Sequence, residues 1–144
     1  MKCAAIALIL ASTLAACAAV SDASHITPEQ AVLQAAAAAP RYVAGVFEME
    51  VKTTGTQNGV VYLNSEADYR DQRNLTIAIS PQAVSRFSAS GIDPLQAFTG
   101  KRVLVKGAAS RVTIFMFMDN KKSDKYYYQT HVAVLDPQQI TLAN

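Results

Sequence analysis

Histidine and cysteine are scarce in this chain, and their scarcity excludes several kinds of site. Two of the 144 residues are histidines, His25 and His131, and two are cysteines, Cys3 and Cys17. Two distant histidines indicate neither a histidine metal cluster nor a Ser-His-Asp triad, and no G-x-S-x-G motif is present for a serine nucleophile. Both cysteines lie near the N-terminus, so no disulfide is expected in the rest of the chain. We therefore predict a protein that is not an enzyme and holds no metal and no cofactor.

Net charge is small as well. The formal charge is +2, and it becomes +1 once Lys2 is removed with a signal peptide. A protein that wraps duplex nucleic acid needs a strong basic field to displace counterions. Binding of nucleic acid is therefore weakly supported, and any electrostatic recognition must be local.

The chain has no apolar run long enough to span a bilayer. Residues 4–14 are free of charge and follow Lys2, but a transmembrane helix needs about 20 apolar residues. The hydrophobic region of a secretory signal needs only about 7 to 15. Residues 1–16 are therefore predicted to be a signal peptide.

The end of this segment resembles the lipobox of bacterial lipoproteins. The residues are Leu14-Ala15-Ala16-Cys17, with small side chains before a thiol. The resemblance implies cleavage before Cys17 and attachment of diacylglycerol to its sulfur. Ala18 stands where an aspartate would favour the inner membrane, so we expect a lipid-anchored, periplasm-facing protein of the cell envelope, in the outer membrane rather than the inner. The open alternative is an ordinary cut near Ala18, which removes Cys17 and frees the chain.

Residues 17–40 are expected to form a lipidated tether followed by a helix. The tether covers residues 18–26, Thr27 can cap the helix, and Pro28 suits its first turn. The alanines at 35–39 favour the helix, and Pro40 ends it. A flexible low-complexity linker is the alternative.

From residue 41 onward the pattern changes to the alternation of β-strands, in a single domain that covers residues 41–144. Apolar residues alternate near residues 46–51, 60–65, 75–80 and 101–106, and again near 131–135. Residues 55–59 are predicted to be a turn, Pro81 to open a short helix through Phe87, and residues 88–99 to be a loop. Gly107 is expected to permit a bulge or bend.

This order resembles that of small bacterial OB-fold proteins of the nucleic-acid-binding type. Three stretches carry the resemblance. The first is Val61-Tyr62-Leu63-Asn64 with Asp68-Tyr69-Arg70-Asp71 and then Asn74-Leu75-Thr76-Ile77. The others are Gly100-Lys101-Arg102-Val103-Leu104-Val105-Lys106-Gly107 and Asp136-Pro137-Gln138-Gln139-Ile140. The resemblance implies an all-β, five-stranded Greek-key barrel, with a short helix after strand 3, an extended strand 4 to strand 5 hairpin and an N-terminal helix. It also implies a groove that binds an extended ligand.

The segment between Gly107 and His131 departs from that pattern, because those proteins usually have a short turn there. Apolar residues occupy both faces of residues 112–118, lysines follow, and then comes Tyr126-Tyr127-Tyr128. This composition predicts a long hairpin with a polar tip. Lysines beside aromatic rings can bind a polyanion or stack on flat rings, whereas an ordinary solvated hairpin is an equal alternative.

Two non-catalytic functions remain open. In the first, the barrel binds an extracytoplasmic oligonucleotide, glycan or peptide. In the second, residues 111–130 dock on an envelope protein or on a second copy of the chain. The candidate ligand-binding residues are Tyr62, Asn64, Tyr69, Arg70, Arg73, Thr76, Lys121, Lys122, Lys125, Tyr126 and Tyr127.

Three acidic residues could suggest a metal site, namely Glu66, Asp68 and Asp71. Arg70 and Arg73 stand among them, so a salt-bridged solvated loop is the better prediction. Staphylococcal-type nucleases also use an OB barrel, but no arrangement of their acidic and arginine active-site residues is recognisable here.

Overall fold

The computed structural model describes residues 24–143. The predicted signal peptide, the lipid site at Cys17 and most of the tether lie outside these residues. The elements are α1 (Pro28–Ala38), β1 (Val43–Glu50), β2 (Thr53–Gln57), β3 (Val60–Asn64), β4 (Leu75–Ile79), α2 (Pro81–Ala89), α3 (Pro94–Phe98), β5 (Arg102–Met118), β6 (Lys121–Val134), a 3-10 turn (Pro137–Gln139) and β7 (Ile140–Leu142).

The described chain is mostly β-structure, with one sheet that curls into a half-barrel and a few helices beside it. The strand order is β1-β5-β6-β4-β3-β2, and β7 also pairs with β5. Neighbours are antiparallel except β4 and β6, which run parallel. The first and last strands of this order, β1 and β2, follow one another in the chain. At their junction the Val51 N–H donates to the Lys101 carbonyl, beside β5, and the Lys52 N–H donates to the Asn64 carbonyl of β3. Residues 24–143 thus contain seven strands where five were predicted, because β2 and β7 were not among the predicted strands.

The core follows the predicted alternation. Leu63, Ile77 and Val103 are fully buried, and the apolar residues that alternate with them are buried as well: Val61, Leu75, Ile79 and Val105. Ile77 pairs with Leu63 on one side and with Val132 on the other, which places it in the middle of the sheet. The predicted register of the central strands is confirmed, since a slip of one residue would have turned these side chains outward.

Helix α1 forms as predicted, and its start has a full capping box. Thr27 accepts from the Gln30 N–H, and the Gln30 side chain accepts from the Thr27 N–H. Ala31 and Ala35 are buried against the sheet. The predicted tether is wrong at its end, because Ile26 bonds through its backbone to Val46 and to Glu48 and so lies along β1.

Three further predictions need correction. The predicted turn at residues 55–59 is mostly strand β2, and the turn itself is Asn58-Gly59, where both residues have positive φ. The predicted loop at 88–99 contains α3, capped by the Asp93 carboxylate. Gly107 makes no bulge, because it pairs with Gly45 in an unbroken register. Glycine is needed there for close approach, since a Cβ would lie 2.7 Å from the Val132 side chain.

The hairpin is not an insertion between two short strands but a continuation of both. Pairing of β5 with β1 ends at Ala109, and pairing of β6 with β4 begins at Thr130. Beyond those points, within the described chain, residues 111–118 pair only with residues 121–130, as far as a turn in which Asp119 and Asn120 both have positive φ. We call this two-stranded extension the ribbon.

Candidate functional site: the outer face of the half-barrel

A row of polar side chains runs along β6 on the face opposite the core. Tyr127, Gln129 and His131 alternate and therefore share this face. The His131 Nε2 lies 2.7 Å from Gln129 Oε1, and the Gln129 Nε2 donates to the Tyr127 hydroxyl at 3.0 Å. The Tyr62 ring, from β3, stands 6.3 Å from the His131 ring. We call these four residues, with the adjoining Tyr69 and Arg70, the outer face.

The direction of these hydrogen bonds follows from the groups involved. An amide oxygen can only accept, so His131 must donate from Nε2. Burial lowers the pKa of His131, which keeps the ring neutral near pH 7. Since Tyr127 accepts from Gln129, its own hydroxyl hydrogen remains available to a ligand.

The loop at residues 66–74 brings Tyr69 and Arg70 to the same place. Partial burial raises the pKa of Tyr127, and the nearby Tyr69 adds to the rise while Arg70 opposes it. Arg70 also lies over the Tyr69 ring, with 5.7 Å from its guanidinium carbon to the ring centre. The 66–74 loop thus lies close to Tyr127, while Tyr62 lies beside His131 further along the same row.

The two arginines of this loop are already paired. Arg70 holds both oxygens of Asp68 at 3.0 and 3.1 Å. Arg73 does the same with Asp71, at 3.1 and 2.8 Å. These hydrogen bonds lower the pKa of Asp68 and bring the pKa of Asp71 to about 2. The loop is therefore salt-bridged and close to neutral, and no cluster of three His, Cys, Asp or Glu side chains suited to a metal occurs among residues 24–143.

Two of the predicted ligand contacts lie beneath this loop instead of facing solvent. Asn64 and Thr76 are 5% and 2% exposed. The Asn74 Nδ2 donates to Asn64 Oδ1 at 3.2 Å and to Thr76 Oγ1 at 2.9 Å. Their polar groups are thus occupied within the protein, and a ligand on the surface would reach them only if the loop moved.

The remaining predicted residues, apart from Arg73, lie on the ribbon. Tyr126 and Lys122 share the opposite face of the ribbon with Phe115, and Tyr126 also touches Tyr128. Lys121 and Lys125 are exposed near the ribbon's turn. Arg73 remains with Asp71, as described above.

Sequence reasoning missed Gln129 and His131. The signal for them was present, because they lie two and four residues after Tyr127, at the spacing of side chains on one strand face. The last strand was predicted to start only near His131, so Tyr127 and Gln129 were not recognised as alternate residues of the same strand. Sequence reasoning also missed Arg111, Phe115 and Tyr128 on the opposite face of the ribbon.

A cleft of about 340 Å³ separates α1 from the ribbon. Val32 and Ala36 line it from α1, and Arg111, Tyr126 and Tyr128 line it from the ribbon. The helices among residues 24–143 are all too short or too polar to cross a bilayer.

No protein-family model matches the sequence, and no curated protein matches it. The chain is similar to part of the aspartyl tRNA synthetase from Entamoeba histolytica, with 10% sequence identity and a TM-score of 0.48. The match covers 93% of this chain and 24% of that one, so the chain spans about a quarter of the synthetase. A likeness this weak does not support any shared activity.

Proposed function

We propose that residues 41–144 form an OB-fold barrel in which β1 and β2 together are the first strand. The strand order supports this proposal, because the parallel β4–β6 pair and the return of β5 beside β1 fit a Greek-key barrel of that type. Helix α2, directly after β4, fits as the short helix that follows strand 3. On this proposal the ribbon is the extended connection between the fourth and fifth strands.

We propose further that the protein is a non-catalytic binding module and that its ligand lies along the outer face. The observation that carries this is the meeting of Tyr62, Tyr69 and Tyr127 around the Gln129–His131 row. Aromatic rings with a few convergent polar groups are the usual lining of a ligand site. The face can stack on a ligand and can both donate and accept hydrogen bonds.

The charges of this face favour an uncharged, extended ligand. Arg70 is neutralised by Asp68, and the row itself is neutral when His131 is neutral. An oligonucleotide would require unpaired cations along its phosphates. A glycan is therefore favoured first, a peptide second and an oligonucleotide last.

The binding proposal is tested by titration followed through backbone amide resonances. The probes are a chitotetraose glycan, an unstructured peptide and an oligo-dT strand. We expect the glycan to shift the resonances of Tyr62, Tyr69 and Tyr127. Tyr127→Ala should weaken binding about tenfold, equivalent to about 1.4 kcal/mol, because a central tyrosine is removed.

Tyr128→Ala is the matched control, since Tyr128 is the adjacent tyrosine on the opposite face of β6. It should leave glycan binding unchanged. Equal losses in the two variants, or glycan shifts confined to the ribbon, would contradict the outer-face site. Shifts with the peptide alone would replace the glycan by a peptide as the ligand.

Export and lipidation at Cys17 are a separate proposal, supported by the lipobox-like sequence. Cys17→Ser should abolish incorporation of radioactive palmitate and leave uncut precursor, because serine offers no thiol for diacylglycerol. Cell fractionation would then find wild-type protein in the envelope, with the outer membrane favoured. Undiminished label in Cys17→Ser would exclude lipidation at this residue, and label in neither protein would favour the ordinary cut near Ala18.

A further inference from the structure

The face of the ribbon opposite Tyr127 is built from aromatic rings and cations. Phe115 meets Tyr126 edge to face with 6.0 Å between ring centres, and Tyr126 meets Tyr128 in the same way at 5.5 Å. The Lys122 ammonium lies 3.6 Å from the centre of the Phe115 ring, and the Arg111 guanidinium lies 4.3 Å from that of Tyr128. We call these five residues, with Phe117, the aromatic face.

The aromatic face is exposed to solvent. Phe117 is 67% exposed and Tyr126 is 54% exposed, and Phe115 and Tyr128 are exposed as well. Soluble proteins rarely leave so many adjacent apolar side chains in water, and such patches mark binding surfaces. Something other than residues 24–143 is therefore expected to cover the face.

The charge of the molecule is concentrated on the ribbon. Arg111, Lys121, Lys122 and Lys125 stand against Asp119 and Asp124, a surplus of two positive charges that equals the formal charge of the whole chain. The rest of the full sequence therefore sums to zero, and to −1 once Lys2 is removed with the predicted signal peptide. The aromatic face itself carries two cations, Arg111 and Lys122.

These charges decide between the possible occupants. A second copy that stacked its aromatic face on this one would bring like charges together, at a cost in binding energy. An anionic lipid surface has the opposite charge. Tyrosine and phenylalanine beside lysine are also the residues that settle at the boundary between headgroups and acyl chains.

We propose that the ribbon docks on an anionic lipid bilayer through its aromatic face. The ribbon lies along the surface and does not cross it, because no other strand of residues 24–143 pairs with its two edges, whose backbone groups need water or headgroup partners. The Phe115 and Phe117 rings enter the headgroup boundary, and Arg111 and Lys122 contact lipid phosphates. Lys121 and Lys125, exposed near the ribbon's turn, add to the attraction at longer range. The outer face, with Tyr127, is then turned away from the membrane and toward a ligand.

A tryptophan placed on the ribbon tests this docking, because the chain has no tryptophan of its own. Phe117→Trp in the full chain is mixed with phosphatidylglycerol–phosphatidylcholine vesicles whose acyl chains are brominated. We expect a blue-shifted emission that the bromines quench. In that background, replacing Lys121, Lys122 and Lys125 with glutamine should weaken binding about a hundredfold, because each lysine near an anionic surface contributes a separate attraction.

Leu135→Trp is the control reporter, since Leu135 is 63% exposed and lies outside the ribbon. Its emission should stay unquenched even if an N-terminal lipid holds the chain on the vesicle, so the result does not depend on Cys17. Unquenched emission from vesicle-bound Phe117→Trp protein would overturn the proposal. A blue shift that grows with protein concentration without vesicles would assign the face to a second copy, and a blue shift only with an added acidic protein would assign it to a protein partner.

The same pair of tyrosines separates this proposal from the outer-face site. Tyr128→Ala should weaken vesicle binding and spare the glycan, whereas Tyr127→Ala should do the reverse. The two proposals can therefore fail independently, because each one is tested by a different tyrosine.

Discussion

Ile77→Ala should lower the free energy of unfolding by about 2 to 5 kcal/mol. Ile77 is fully buried at the centre of the sheet, between Leu63 and Val132. Truncation removes its transfer free energy and leaves a cavity that strands held on both sides cannot close. Ile77→Val should cost only about 0.5 to 1.5 kcal/mol, since one methylene is lost.

Urea denaturation of the purified variants measures these differences. Leu33→Ala is the matched control, because Leu33 is 71% exposed on α1 and alanine is the better helix former. Its stability should change by less than about 0.5 kcal/mol. An Ile77→Ala protein as stable as Leu33→Ala would mean that β4 does not occupy the centre of the core.

Asn74→Ala should lower the free energy of unfolding by about 2 to 4 kcal/mol, because it leaves several buried polar groups without partners. The Asn74 amide oxygen accepts from the Glu66 N–H at 3.0 Å, and its Nδ2 also donates to the Tyr69 carbonyl at 3.3 Å. With its bonds to Asn64 and Thr76, this one side chain fastens the 66–74 loop to the sheet. Loss of the loop's position should also weaken glycan binding, although Asn74 lies outside the outer face.

Gln72→Ala serves as the control, because Gln72 is exposed in the same loop. Thermal unfolding and the glycan titration should both be nearly unchanged by it. If Asn74→Ala unfolded like Gln72→Ala, the network beneath the loop would have no net stabilising role. If it were destabilised but bound glycan normally, the loop would not position the ligand.

The strand core was predictable because it obeys a local rule. Alternation of Leu75, Ile77 and Ile79 fixes which face is buried, whatever the rest of the chain does. The helix from Pro28 was equally local, since its cap and its first turn lie within four residues of each other. Such features can be predicted without knowing which distant residues they contact.

The candidate site was predictable only in part, because it depends on contacts between distant segments. Tyr62 and Tyr127 could be proposed from composition, but nothing local distinguishes them from Asn64, which the 66–74 loop covers. The close approach at Gly107 is similar, since the need for glycine comes from Val132, across the sheet. The long hairpin was predicted, but the unbroken strand from Lys121 to Val134 was not, because the lysine-rich half of β6 is polar and lacks the apolar alternation of a strand.

The sheet order also constrains when the molecule can fold. Among the strands of the described chain, β1 pairs only with β5, and Val43 lies opposite Ala109. Strand β1 therefore cannot pair until β5, which is synthesised much later, is available. Strands β2, β3 and β4 can form a meander early. Pairing of β1 with β5 must first overcome the loss of chain entropy on closing the long loop between them, and the stabilising contacts form only afterwards. Until β5 is available, β1 has an open edge and no place in the core. We expect folding to be slow for a chain of this size and to begin only after the C-terminal third has been synthesised. Such a delay suits the proposed export, because an exported polypeptide would cross the membrane unfolded.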